Sequence, residues 1–233
     1  MMVRVLIVMT LLLAGCAGQQ QKADSVTSGA GDDPVADLQK GAELLGNGSL
    51  KKAIDAFDRV IDQCDFGDET RRVYASRSIN DTIYYMALAA VAGQEAEAVD
   101  SLCSEALYLK GYAKLDMGRV DEAEEYVRKA IDMAPVNAVY LSELGHIYQI
   151  KRDMKTALDI FRQAEEAADS FSPDDVNVQE LGRAKRGVGY SLIELGELDA
   201  AEQKFRECLE LNDDDQGARN ELKYIDQLRG TAP

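Results

Sequence analysis

Four glycines in this chain each stand twelve residues before an alanine: Gly41 and Ala53, Gly111 and Ala123, Gly145 and Ala157, Gly189 and Ala201. Four residues beyond each alanine come Phe57, Val127, Phe161 and Phe205, and three further on Val60, Ala130, Ala164 and Cys208. A glycine inside a helix costs roughly 1 kcal/mol relative to alanine, so a register of four requires a compensating gain. Close approach of a second helix supplies it when the facing residue is also small. The alanines are expected to be those facing residues, with the bulkier side chain one turn on filling the next layer. A turn signal lies between each glycine and its alanine: Gly46 and Gly48, Gly118, Arg152-Asp153, and Gly196. Each unit therefore reads as a helix–turn–helix. All four prolines, Pro34, Pro135, Pro173 and Pro233, fall at plausible helix ends, so the chain past Pro34 is expected to be all-α.

Two stretches, GYAKLDMGRVDEAEEYVRKAIDMAP from Gly111 and LGHIYQIKRDMKTALDIFRQA from Leu144, resemble the tetratricopeptide repeat, a 34-residue helical pair. The resemblance implies an α-solenoid over residues 34–229, with repeats near 34–67, 104–137, 138–171 and 182–215. Ala123 and Ala157 are one repeat apart, but Ala201 follows Ala157 by 44 residues, about ten too many. Ser172-Pro173 is a favourable N-cap and first helical residue, so the excess is expected to extend the helix that starts there. An end repeat needs a polar cap. Residues 215–229, with Leu222, Ile225 and Leu228 on one side, are expected to supply it.

Between Ala53 and Ala123 lie 70 residues, near two repeats, yet the middle unit is degenerate. Residues 71–92 (RRVYASRSINDTIYYMALAAVA) read as one long helix, and residues 95–117 contain no breaker before Asp116-Met117-Gly118. Region 70–103 is thus expected to be helical, either fused with the next unit or inserted as a helical hairpin.

The N-terminus has a different character. A short positive start at residues 1–4 precedes a nine-residue run, VLIVMTLLL, that is apolar but for Thr10. That is too short for a bilayer-spanning helix, which needs roughly 20, and has the layout of a secretory leader. Its end, Leu13-Ala14-Gly15-Cys16, resembles the lipobox of bacterial lipoproteins. The resemblance implies cleavage after residue 15 and lipidation of Cys16, whose acyl chains together anchor stably where one chain binds marginally. Ala17 after the cysteine implies the outer membrane by the enterobacterial sorting pattern. Residues 16–33, rich in Gln, Ser, Gly and Asp, read as a tether reaching about 20–25 Å.

Formal charge is −16, or −17 once Arg4 leaves with the leader. Such a balance argues against nucleic acid, whose phosphates demand clustered Lys and Arg. Catalytic chemistry is not expected. His146 is the only histidine and reads as a surface-lining side chain, and no serine elbow, phosphate-cradling glycine loop or paired CxxC occurs. Asp213-Asp214-Asp215 invites calcium, but Tyr224 stands where the loop's twelfth-place glutamate belongs, so the run reads as a turn capped by Asp215. No metal or cofactor is expected beyond the lipid on Cys16. Cys208 fills a small-residue slot and is expected to be packed and inert. Among Cys64, Cys103 and Cys208 three pairings are open. The reading favours reduced thiols.

In tetratricopeptide proteins the first helix of each pair lines a concave groove. Carried onto this chain, that lining comprises Glu105, Tyr108, Tyr112 and Leu115; Val139, Ser142, His146 and Gln149; Arg183, Arg186, Tyr190 and Ile193. Tyrosine and arginine often anchor interfaces, and Arg183, Lys185 and Arg186 form a positive spot suited to a carboxylate. The Lys-Asn carboxylate clamp of the chaperone-binding branch is missing, because its places hold Tyr108, Tyr112, Ser142, Glu143 and His146. The expected function is a lipid-anchored periplasmic adaptor that binds a protein or peptide in the groove, in outer-membrane, pilus, secretin or envelope assembly. The rivals are an accessory or enzyme acting on cell-wall glycan and a self-associating structural protein.

Overall fold

The computed structural model describes residues 33–230. Cys16, the leader and nearly all of the tether lie outside them. The described residues form ten helices and two strands in the order α1 (Pro34–Gly46), α2 (Leu50–Ile61), β1 (Arg71–Ala75), α3 (Ile79–Ala92), β2 (Glu95–Val99), α4 (Leu102–Asp116), α5 (Val120–Met133), α6 (Ala138–Ile150), α7 (Met154–Phe171), α8 (Asn177–Glu194), α9 (Leu198–Leu211) and α10 (Gln216–Gly230). Four antiparallel pairs, α1–α2, α4–α5, α6–α7 and α8–α9, carry the stack, and α10 closes it. Ala218 and Ile225 of α10 are buried, and Leu222 and Leu228 pack beside them.

Local chemistry starts and stops the helices. Asp33 caps α1, its Oδ1 accepting from the Val35 and Ala36 amides at 3.0 and 3.3 Å, with Pro34 behind it. Each intra-pair turn passes through one left-handed residue: Gly48 (φ 70°), Gly118 (73°), Arg152 (64°) and Gly196 (80°). Arg152 is the exception, adopting a conformation that suits glycine.

The glycine notches are real, but their occupants differ from the sequence expectation. A Cβ on Gly145 would come within 2.8–3.0 Å of the Phe161 ring, and one on Gly189 within 2.7–3.0 Å of Phe205. A Cβ on Gly41 would likewise meet the Phe57 ring, and one on Gly111 would come within 2.8 Å of Val127 Cγ2. Each glycine therefore receives mainly the large residue one turn past its alanine. Ala53, Ala123, Ala157 and Ala201 are fully buried beside these contacts. A further notch, Gly187 on α8, presses on the other side of Phe161. Its partner sits in the preceding repeat, so no intra-repeat register could reveal it.

The expected helix over residues 71–92 and the unbroken stretch over 95–117 are corrected. Residues 71–75 and 95–99 are parallel strands in register Arg71 to Glu95 through Ala75 to Val99, joined by α3. A Ser78–Asp81 capping box starts α3, and Gly93 (φ 70°) ends it. Strand pairing wins because Val73, Tyr74 and Ala75 become buried, and Tyr74 stacks on Tyr85 of α3 with ring centroids 5.0 Å apart. The helix expected from Ser172 is also corrected. Ser172 ends α7, residues 173–176 turn, and α8 begins at Asn177. The excess residues lengthen both α7 and α8, each 18 residues long against 12 to 14 in α2, α5 and α9.

The thiols expected to be reduced include a disulfide, Cys64–Cys103, which ties the end of α2 to the start of α4. Because α2 packs directly on α4, the two cysteines lie with Cα atoms 5.9 Å apart although they are 39 positions apart in sequence. Cys208 is the free thiol among the described cysteines; it is 1% exposed, and burial pushes its pKa up to about 11.

Candidate functional site: a groove between first helices

Along the stack α4 touches α6 and α6 touches α8, whereas α5, α7 and α9 make no comparable contact with one another. The first helices therefore form the inner face. Between α4, α6 and α8 lies a cavity of about 470 Å³ lined by Tyr112, Leu115, Asp116, Ser142, Glu143, His146, Ile150, Phe161, Arg183 and Gly187. Tyr112 and His146 are exposed at its rim. Tyr108 lies behind Tyr112, its ring 6.5 Å from that of Tyr112 and stacked on Tyr140 at 5.0 Å. Burial raises the Tyr108 hydroxyl pKa, and the nearby Glu143 charge adds to the effect.

Polar groups in the groove are held unequally. Arg183 Nη2 donates to Glu143 Oε2 at 2.5 Å, joining α8 to α6. Burial opposes the Arg183 charge, but Glu143 and Tyr108 outweigh it and hold the guanidinium pKa above its ordinary value. Glu143 itself is 1% exposed, and its Oε1 has no hydrogen-bond partner. Ser142 Oγ, equally buried, also has none. Gln149 Nε2 donates to Ser191 Oγ at 3.0 Å and to the Gly187 carbonyl at 3.4 Å, so it braces α6 against α8.

The structure brings Tyr112, Leu115, Ser142, His146 and Arg183 of the expected lining to one cavity. Tyr190 is exposed further along α8, Glu105 is exposed near the start of α4, Val139 is half-buried and Ile193 is buried. The expected positive spot dissolves. Arg186 Nη1 is engaged by Asp215 at 2.5 Å, and Lys185 by Glu165 and Glu207 at 2.7 and 2.6 Å. The three cations diverge because successive positions on a helix point about 100° apart. Asp215 also caps α10 through the Ala218 amide at 3.0 Å, so its carboxylate is committed within the chain. Among the described residues no group of three His, Cys, Asp or Glu side chains is arranged to hold a metal ion, and no helix is long and apolar enough to cross a membrane. The unpartnered Glu143 oxygen escaped sequence reasoning. Its place in the repeat was legible, but the number of hydrogen bonds Arg183 gives it was not.

A second cavity, of about 500 Å³, lies between α2, β1, α4 and α5, where Asp58, Phe66, Arg72, Lys110, Tyr126 and Lys129 are among its lining. Lys110 Nζ sits 4.1 Å from the Tyr126 ring centroid and is also paired with Asp58.

The tetratricopeptide-repeat family pattern matches residues 104–137 and 187–215. Among solved structures the chain is similar to PilF of Pseudomonas aeruginosa, at 14% identity and a TM-score of 0.59 over 82% of this chain and 67% of that one. It is also similar to MamA of Desulfovibrio magneticus RS-1, at 14% identity and a TM-score of 0.57 over 87% of this chain and 88% of that one. At such identities the likeness is one of fold. No curated protein matches the chain significantly. The glycine register, the paired helices and the matched segments lead to one conclusion: the described residues fold as a tetratricopeptide-like helical solenoid, carrying that repeat's pattern over residues 104–137 and 187–215 and interrupted once by a strand–helix–strand insertion.

Proposed function

We propose that the chain is a lipid-anchored adaptor of the bacterial envelope that holds a segment of another protein in the groove between α4, α6 and α8. The observation that carries the docking role is that groove, rimmed by exposed Tyr112 and His146 and built on helices locked by buried notches. Rigid scaffolds with exposed tyrosines suit protein recognition, because a large amphipathic ring is presented with little conformational freedom to lose. The anchor rests on Leu13-Ala14-Gly15-Cys16 and the apolar run before it. The Cys64–Cys103 disulfide supports export, since such bonds persist in oxidising compartments. Roles in outer-membrane, pilus or secretin assembly are compatible with a tethered protein-binding solenoid facing the periplasm.

Two experiments test the two halves. Cells producing wild type incorporate labelled palmitate into the protein, and Cys16→Ser abolishes the label; label retained on the variant refutes the anchor. A photo-crosslinker in place of Tyr112 captures a discrete protein in cells, whereas one in place of exposed Lys129, off the groove, does not. Identical capture from both positions refutes the groove.

A further inference from the structure

The chemistry of the groove selects the side chain it receives, an inference that rests on the groove being the docking face. Two acceptors on its wall, Glu143 Oε1 and Ser142 Oγ, are buried and have no hydrogen-bond partner. Buried polar groups are almost always satisfied, and a carboxylate oxygen left bare in a low-dielectric site is costly. Arg183 serves Glu143 through Oε2, so the second oxygen remains for an outside donor. Negative charge also prevails around the cavity. Asp116 at the rim makes no side-chain hydrogen bond or ion pair among the described residues, while the one lining arginine, Arg183, is already engaged. Leu115, Ile150 and Phe161 supply an apolar surface beside these acceptors.

We propose that the groove accepts a lysine or arginine side chain presented by an extended segment of the partner protein. The aliphatic stem lies over Leu115, Ile150 and Phe161, and the charged head donates to Glu143 Oε1 and Ser142 Oγ. Lysine and arginine combine a long apolar stem with several donors and no acceptor, which matches an apolar surface set against orphaned acceptors. A partner carboxylate would instead meet Glu143 and Asp116, two like charges, in a partly desolvated site. This polarity is opposite to that of the positive spot expected from the sequence.

The test pans a random peptide library on the full chain in detergent, and then measures the enriched peptides by fluorescence anisotropy. Peptides carrying lysine or arginine at one fixed position are expected. Replacing that residue by norleucine, or changing Glu143→Gln, weakens binding about tenfold or more. Asp116→Asn, at an exposed rim position, weakens the same peptides about two- to threefold, and less in high salt. His146→Trp, which fills the groove from an exposed site, abolishes binding. Peptides blocked by His146→Trp that show no basic preference, and that bind Asp116→Asn undiminished, overturn the basic-side-chain inference and leave the groove standing. Enrichment indifferent to His146→Trp overturns the groove reading, and a library with no enriched peptide overturns this inference. Should Glu143→Gln lose its cooperative melt, the norleucine peptide and Asp116→Asn decide the outcome alone.

Discussion

The stack from α4 to α9 and the insertion made of β1, α3 and β2 both consist largely of apolar segments, but apolar surface is used differently in each. In the stack every pair buries a large side chain in a glycine notch, and Phe161 sits between two, Gly145 in its own repeat and Gly187 in the next. The insertion packs on one side only: Val73 and Ala75 of β1 join Leu107 and Met133 in the core, while Ile79 and Val91 of α3 stay 78% and 90% exposed. Specific contacts at a few points add to that packing. Tyr74 stacks on Tyr85, whose hydroxyl accepts from the Val136 amide at 3.4 Å. Arg77 donates from Nη1 and Nη2 to the two oxygens of Glu180 at 2.7 and 3.2 Å. The Cys64–Cys103 bond encloses the whole excursion. Repeats can share their burial with neighbours, whereas a two-stranded sheet is at best marginally stable alone and needs such a clasp.

Substitutions in the stack and in the insertion should act differently, and the largest effect is expected at the most shared residue of the stack. Phe161→Ala removes a ring that fills two notches, and is expected to lower unfolding stability in urea by about 3–5 kcal/mol. Because the ring bridges repeats, hydrogen exchange should accelerate in α6, α7 and α8 together. Loss confined to α6 and α7 would show that Gly187 contributes no inter-repeat coupling.

Removing the clasp should have a smaller and more local effect. Cys64→Ser with Cys103→Ser is expected to cost about 2–4 kcal/mol, the range for loops of this size. Exchange protection should fall first in β1 and β2, while α6 to α9 keep theirs. Equal loss throughout the stack would mean that the insertion and the repeats unfold as one unit.

The smallest effect concerns the one turn that departs from its siblings. Arg152 occupies the left-handed position that Gly48, Gly118 and Gly196 fill elsewhere. Arg152→Gly is expected to stabilise the α6–α7 pair by up to about 1 kcal/mol through relief of that strain. Among the described residues the ion pair it loses is a 3.7 Å contact with Glu194, on an arginine side chain 78% exposed, so the gain should appear as a raised Tm at constant urea m-value. A lower Tm would assign that exposed contact more weight than such pairs carry.

How much was legible follows from the same contrast. Gly145 and Phe161 are 16 residues apart on consecutive helices, so a fixed spacing marked the notch, although the sequence reading set Ala157 in it and Phe161 in the next layer. Tyr112, His146 and Arg183 could be placed on one face because repeat position translates directly into direction. The strands could not be placed so simply. Residues 71–75 become β1 only because residues 95–99 lie alongside, and α3 has to form between them. The signals were present in the Ser78–Asp81 box and the alternation of EAEAV, but the strong apolar run after residue 79 masked them.

By itself the sequence determined the helix pairs, the notches within each repeat and the face on which a groove would lie, because these depend on contacts between neighbouring segments with a regular period. Only the tertiary structure decided that Cys64 meets Cys103, that Gly187 closes on Phe161 of the preceding repeat, and that Glu143 keeps one oxygen free while Arg183 takes the other. Those outcomes depend on how distant segments approach one another, and on how a few donors and acceptors divide between them once they are desolvated.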